Sequence, residues 1–133
     1  MVKSNIKIII IYLVLFFIGA LGYVAIELAF RGRSHWSMAV AGGICFCIFA
    51  LIGEHLSSLN KIYIPIIGSL IITAVELVFG VVFNIILKKN VWDYSSMPFN
   101  FLGQICLTFS LIWGLLSIVF IPLASALRSS FLR

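Results

Sequence analysis

Three of the four acidic residues, Glu27, Glu54 and Glu76, fall within or at the end of long apolar runs. A charged carboxylate at membrane depth is costly, roughly 2.5–3.5 kcal/mol for Asp on insertion scales. It must face other helices, find a partner or carry a proton. The functional default for such a residue is a site, and Glu76 is the one expected to bind a cation or a proton-coupled solute. Spacing sharpens the case. At about 100° per residue, Ser69, Thr73, Glu76, Gly80 and Asn84 share one helical stripe about 80° wide. Asn100, Gln104 and Thr108 recur at i, i+4 and i+8, which predicts a second polar line on the last helix. Tyr12, Phe16, Ala20, Tyr23 and Glu27 make an aromatic stripe ending in a carboxylate. Ala39, Gly43, Cys47 and Ala50 give a small-residue face suited to close helix packing.

A structural role stands beside each of these. Glu27 can pair with Arg31 at i+4, and Glu76 can bond Tyr23 or Asn84. Glu54, beside His55, reads as a surface anchor. His35 reads as interfacial, and Trp36 and Trp92 as belt anchors at the headgroups. Asp93 is placed to cap the last helix through the Trp-Asp-Tyr-Ser turn.

The elements that must position these groups are four apolar runs: Ile8–Phe30, Trp36–Gly53, Ile62–Leu87 and Phe99–Leu123. Each approaches or exceeds the roughly 17–25 residues that cross a bilayer as a helix. Backbone groups in lipid must be satisfied within the segment, so each run is expected to be helical. The first run, following Lys3 and Lys7, exceeds the roughly 7–15 apolar residues of a signal peptide and is expected to be a retained span. The connections read as short, which makes consecutive helices antiparallel neighbours.

Composition agrees. The chain has 133 residues, 63% hydrophobic and 10% charged, far from the roughly 25% charged residues of soluble domains. Nine basic against four acidic residues give +5. The basic residues sit at the ends of apolar runs, as headgroup anchors do, and not on a nucleic-acid surface. Cys45, Cys47 and Cys106 lie inside apolar runs and read as packing residues. No metal-ligand spacing, phosphate-binding glycine loop or nucleophile elbow occurs. Neither a cofactor nor an enzymatic role is expected. With an even number of spans, Lys3, Lys7, Lys61, Arg128 and Arg133 share one side, and Arg31, Arg33, Lys88 and Lys89 the other. That small bias leans the termini to the cytoplasm, and it permits insertion in both orientations and hence an antiparallel homodimer.

The chain also resembles itself. Ala25-Ile26-Glu27-Leu28-Ala29-Phe30 is echoed by Ala74-Val75-Glu76-Leu77-Val78-Phe79. Each is followed by a loop with Trp and Ser-Met, and then by Gly and Ile-Cys. The expected architecture is an all-α integral membrane domain over residues 1–133. It consists of four transmembrane helices as two tandem helix-hairpin repeats, about 8–53 and 62–123. The implied pseudo-two-fold lies along the membrane normal, and sites in such folds sit at the repeat interface.

At the loops the chain resembles a known family. Glu27-Leu28, Arg31-Gly32-Arg33-Ser34-His35-Trp36-Ser37-Met38 and Gly42-Gly43 are similar to the first half of the bacterial CmpB-like, ABC-transporter type IV permease family. Glu76, Gly80, Asn84, Asn90-Val91-Trp92-Asp93-Tyr94-Ser95, Pro98, Asn100 and Gly103-Gln104-Ile105-Cys106 are similar to its second half. Gly53-Glu54 departs from the Asn-Glu that members often carry. The resemblance implies a transport subunit of the bacterial plasma membrane served by a separate ATPase subunit.

The resulting expectation is a permease-like component with a polar pocket between the repeats. Glu76, Glu27, Asn84, Asn100, Gln104, Trp36, Trp92, Asp93, Tyr94 and His35 would line it, and Arg31 and Arg33 would contact lipid headgroups or an anionic partner. Two rivals remain: a proton-coupled four-helix exporter acting as a dimer, and a non-transporting assembly or regulatory partner of another membrane protein.

Overall fold

The computed structural model describes residues 2–133. Among them are four helices long and apolar enough to cross a membrane. Helix α1 (Val2–Arg31) and helix α2 (Trp36–Ser57) are joined by residues 32–35. Helix α3 (Tyr63–Gly80) continues as a π-helical segment, Val81–Ile86. A two-residue hairpin, β1 (Asn100–Phe101) with β2 (Ile105–Cys106), precedes helix α4 (Leu107–Leu132). The all-α membrane architecture expected from hydropathy is therefore present.

The chain divides into two compact units. The first comprises Met1–Asn60 with Phe120–Arg133, and the second Lys61–Val119.

In the first unit, α1 ends where Gly32 takes φ 71° and its N–H returns to the Leu28 carbonyl at 3.1 Å. A left-handed residue closing the last turn in this way is the αL stop, and glycine adopts it without a Cβ penalty. Helix α2 starts on His35, whose Nδ1 accepts the Ser37 N–H at 3.2 Å. That bond satisfies one of the donors a helix start leaves open. The two helices then pack through small residues, Gly43 and Cys47 of the predicted face together with Gly42 and Gly19. Gly43 lies under the Phe16 ring, Gly42 under Tyr23, and Gly19 against Phe46. The Cys47 thiol donates to the Tyr12 carbonyl at 3.5 Å. Gly53 meets Ser125 and the Ile121 carbonyl of α4.

In the second unit the buried residues of α3 are Gly68, Ile72, Glu76 and Gly80, one turn apart. The start of α4 runs antiparallel beside α3. Ser69 Oγ donates to the Ser110 carbonyl at 2.7 Å, and Gly114 faces the Pro65 carbonyl.

Two expectations are corrected here. The last span is Leu107–Leu132, not Phe99–Leu123. Apolarity alone could not locate its start, because residues 99–106 are apolar enough for a span but are used in a hairpin. The third connection is also not short. It occupies residues 87–106, with four non-glycine residues, Lys88, Asn90, Phe99 and Leu102, at positive φ. Such residues interrupt any helix.

Candidate functional site

The five-residue stripe predicted on α3 is the organising feature of the second unit. Thr73 Oγ1 and Ser110 Oγ are 2.8 Å apart. Glu76 is 4% exposed, and its Oε2 accepts the Tyr94 hydroxyl at 3.0 Å. A Cβ on Gly80 would meet the Gln104 side chain within 3 Å. Asn84 uses both ends of its amide: Nδ2 donates to Gln104 Oε1 at 2.8 Å, and Oδ1 accepts the Val91 N–H at 2.6 Å. Every stripe residue thus meets either α4 or the segment 87–106. Glu76 thus meets Tyr94, a partner not weighed from the sequence, while Asn84 is engaged by Gln104 and Val91.

Segment 87–106 is folded on itself by its own bonds, while Tyr94 and Gln104 join it to α3 and the π-helical segment. The Trp92 indole N–H donates to the Gln104 carbonyl at 2.9 Å, and Tyr94 N–H donates to the Gly103 carbonyl at 2.7 Å. Gln104 Nε2 donates to the Leu102 carbonyl at 3.0 Å. The hairpin turns on Leu102 and Gly103, both at positive φ, with Gln104 N–H donating to the Phe101 carbonyl. Three residues, 102–104, thus link the paired Phe101 and Ile105, and the two left-handed residues reverse the chain. Trp92, Tyr94 and Gln104 are buried as a result.

This clasp does not sit past the end of α3. At about 1.5 Å per residue, roughly 15 Å of helix separates Glu76 from Ile86. Tyr94 nevertheless reaches Glu76, and Gln104 reaches Gly80. Because Tyr63–Ile86 is a membrane span by length and composition, segment 87–106 folds back along the span. Non-helical backbone at such depth is tolerated where protein covers it or water reaches it. The π-helical turns end in the Leu87 N–H bond to the Val82 carbonyl at 2.9 Å. Such turns are rare and concentrate at functional sites.

Two further expectations fail in this region. Asn100, Gln104 and Thr108 do not form a line on one helix, because Asn100 and Gln104 precede α4. Asn100 instead braces the loop: Nδ2 donates to the Met97 carbonyl at 2.8 Å, and Oδ1 accepts the Gly103 N–H at 3.1 Å. Asp93 does not cap α4. Its Oδ1 accepts the Ser95 N–H at 2.9 Å, a local Asx turn. That bond, with a second from the Ser95 side chain, holds the Asp93 carboxyl below its ordinary range, and the group is exposed.

The sequence reading also missed residues. Tyr94 stacks on Phe109 with centroids 4.8 Å apart, and Phe109 continues to Trp113 at 6.2 Å. Ser110 serves two stripe residues at once. Trp113, Ser117, Ile121 and Ala124 are buried at helical spacing on α4. That spacing was available as a signal, but the misplaced helix start drew attention to Asn100 and Gln104.

The first unit holds the remaining candidates. Glu27 is buried and pairs with Arg31 Nε at 3.4 Å, the i+4 ion pair expected. His35 and Trp36 rings lie 5.5 Å apart, with Trp36 65% exposed, as a belt residue would be. Arg33 is exposed. Glu54 is exposed and faces Arg128 at 3.7 Å. Arg128 Nε also donates to the Tyr12 hydroxyl at 2.9 Å. Among the described residues no cluster of His, Cys, Asp and Glu could hold a metal ion.

Neither a curated protein nor a solved structure matches the chain. A family profile does, over residues 14–133, which include every candidate named above. The chain is thus a multi-pass membrane protein of four apolar helices, and it belongs to the family described as Putative ABC-transporter type IV.

Proposed function

We propose that the chain is the membrane-embedded component of a transport system of the bacterial plasma membrane, with its termini cytoplasmic. In this reading Glu76 is the group that binds a cation or carries the proton of a proton-coupled solute. The observation that carries the reading is the buried Tyr94–Glu76 bond at span depth, made by a non-helical segment folded back along α3. Interrupted helices around a charged group are the construction by which many transporters place a site within the bilayer. Asn84, Gln104 and Trp92 then hold the clasp that presents Tyr94, and Asp93 and Asn100 shape its outer turns. Glu27 with Arg31 is a second charged group in the other unit, and Arg33 contacts headgroups or an anionic partner. The family description supports a separate ATPase subunit as the energy source.

The test is flux through vesicles containing the chain together with whatever co-purifies from native membranes. Glu76→Gln keeps an acceptor for Tyr94 but cannot ionise, so transport should cease while the fold persists. Full transport by that variant would refute the role given to Glu76. A stoichiometric ATPase in the purified complex would support the ABC-subunit reading. A bare homodimer with flux driven by a proton gradient would support the self-contained exporter instead.

A second reading is favoured by one feature of the clasp. Ser69, Thr73, Glu76 and Asn84 each bond a group within their own unit, as polar residues do when they serve as structural glue. A non-transporting assembly partner would show no flux in any vesicle, and Glu76→Gln would alter only stability.

A further inference from the structure

The first unit has an apolar groove of about 510 Å³, lined by Lys3, Ile6, Lys7, Ile10, Ile11 and Val14 of α1 and by Phe131 of α4. Its volume falls within the roughly 300–1,000 Å³ typical of ligand sites. Polarity is distributed along its length. Both lysines lie in the first two turns of α1, and beyond them only isoleucine, valine and phenylalanine line the wall. From Lys3 to Val14 the groove follows α1 for roughly 16 Å at about 1.5 Å per residue.

The charged end is built unfavourably for an empty site. Lys3 and Lys7 are like charges at i, i+4, which repel. They stand at a helix N-terminus, where the macrodipole already favours an anion. Neither groove lysine takes part in the ion pairs Arg31–Glu27 and Arg128–Glu54. The Lys7 ammonium is positioned by the Leu132 carbonyl at 3.3 Å, which fixes its direction without cancelling its charge. An occupant with a negative head and a linear hydrocarbon tail would relieve the repulsion and cover the apolar wall.

We propose that this groove is a binding site for one anionic phospholipid, its phosphate between Lys3 and Lys7 and one acyl chain along Ile6, Ile10 and Val14. The charge at one end selects the anionic head. The wall beyond the lysines distinguishes this site from general attraction of basic residues to a membrane surface, which needs no groove.

The test uses the full chain in vesicles of phosphatidylcholine with a minor fraction of phosphatidylglycerol, followed by gentle extraction and native mass measurement of retained lipid. The unaltered chain should retain one phosphatidylglycerol in preference to phosphatidylcholine. Lys3→Gln with Lys7→Gln should lower that retention about tenfold or more, given roughly fivefold for each basic residue near an anionic surface. Ile10→Trp should also lower it with both lysines intact, because Ile10 is exposed and the indole would occupy the groove without disturbing the core. Lys88→Gln with Lys89→Gln, which alters two exposed lysines that do not line the groove, should leave retention unchanged. Equal retention of both lipids, equal loss from the loop variant, or undiminished retention by Ile10→Trp would each overturn the proposal.

Discussion

The Tyr94 hydroxyl donates to Glu76 Oε2 at 3.0 Å, and both residues are 4% exposed. The two belong to different kinds of structure. Glu76 is fixed on a helix, whereas Tyr94 rides on an irregular segment that must fold back to reach it. The bond therefore reports whether segment 87–106 is seated.

Tyr94→Phe keeps the stack on Phe109 but removes the donor. Losing a typical hydrogen bond costs about 0.5–1.5 kcal/mol. The variant should unfold earlier by about that amount in a denaturant titration. Amide exchange should rise across 87–106 before it rises in α1 or α2. Unchanged exchange in that segment would mean that the clasp is held by Trp92 and Gln104 alone.

Gly80→Ala probes the same clasp from the helix side. The added Cβ would come within 2.7 Å of Gln104 Oε1 and 2.8 Å of its Cβ. Gln104 cannot yield without disturbing its bonds to Asn84 and Leu102 and the acceptor of Trp92. Overpacking of this kind costs about 1–3 kcal/mol. Because Trp92 loses its buried setting, its fluorescence should shift to the red. An emission spectrum identical to that of the unaltered chain would count against the contact.

The legible and illegible parts of this chain divide along physical lines. Helical periodicity exposed the stripe Ser69, Thr73, Glu76, Gly80 and Asn84, because five polar or small residues on one face of an apolar helix have no other explanation. It also exposed the Glu27–Arg31 pair and the glycine-lined contact of α2. What periodicity could not reveal was where a helix fails to begin. Phe99, Phe101, Leu102 and Ile105 look like the start of a span, yet Phe99 and Leu102 sit at positive φ, a backbone state that side-chain hydropathy does not encode. The bond from Tyr94 to Glu76 was hidden for the same reason. Tyr94 lies in a segment whose fold depends on hydrogen bonds between residues a dozen or more positions apart, such as Trp92 with Gln104.

Asp93 gives the clasp a pH dependence. Its carboxyl is held below the ordinary value of 3.8 by the Ser95 backbone bond first and the Ser95 side-chain bond second. A depressed folded-state value means that the turn's contribution is complete above the unfolded value and fades as pH falls through the folded one. Exchange of the Ser95 amide should therefore be flat from neutral pH down to about 4, after correction for intrinsic rates. It should accelerate only at lower pH. Asp93→Asn keeps an oxygen acceptor but not the charge, so it should remove the acid-dependent step and leave a weaker turn at every pH.

Gly19 and Gly22 lie one turn apart on α1 and make opposite predictions. A Cβ at Gly19 would clash with Phe46 Cβ and come within 2.8 Å of the Gly42 carbonyl oxygen, while a Cβ at Gly22 meets nothing within 4 Å. Backbone and Cβ atoms cannot move aside as a flexible side-chain tip can, so Gly19→Ala must push α1 away from α2. In lipid no hydrophobic force between helices compensates for the lost close contact. The expected cost is about 1–3 kcal/mol, read as a lower midpoint of unfolding in a denaturing-detergent titration. Gly22→Ala removes only backbone freedom that helix formation must restrict, and should raise stability by up to about 1 kcal/mol. Equal effects of the two substitutions would mean that helix propensity, not the close approach of α1 to α2, governs this hairpin.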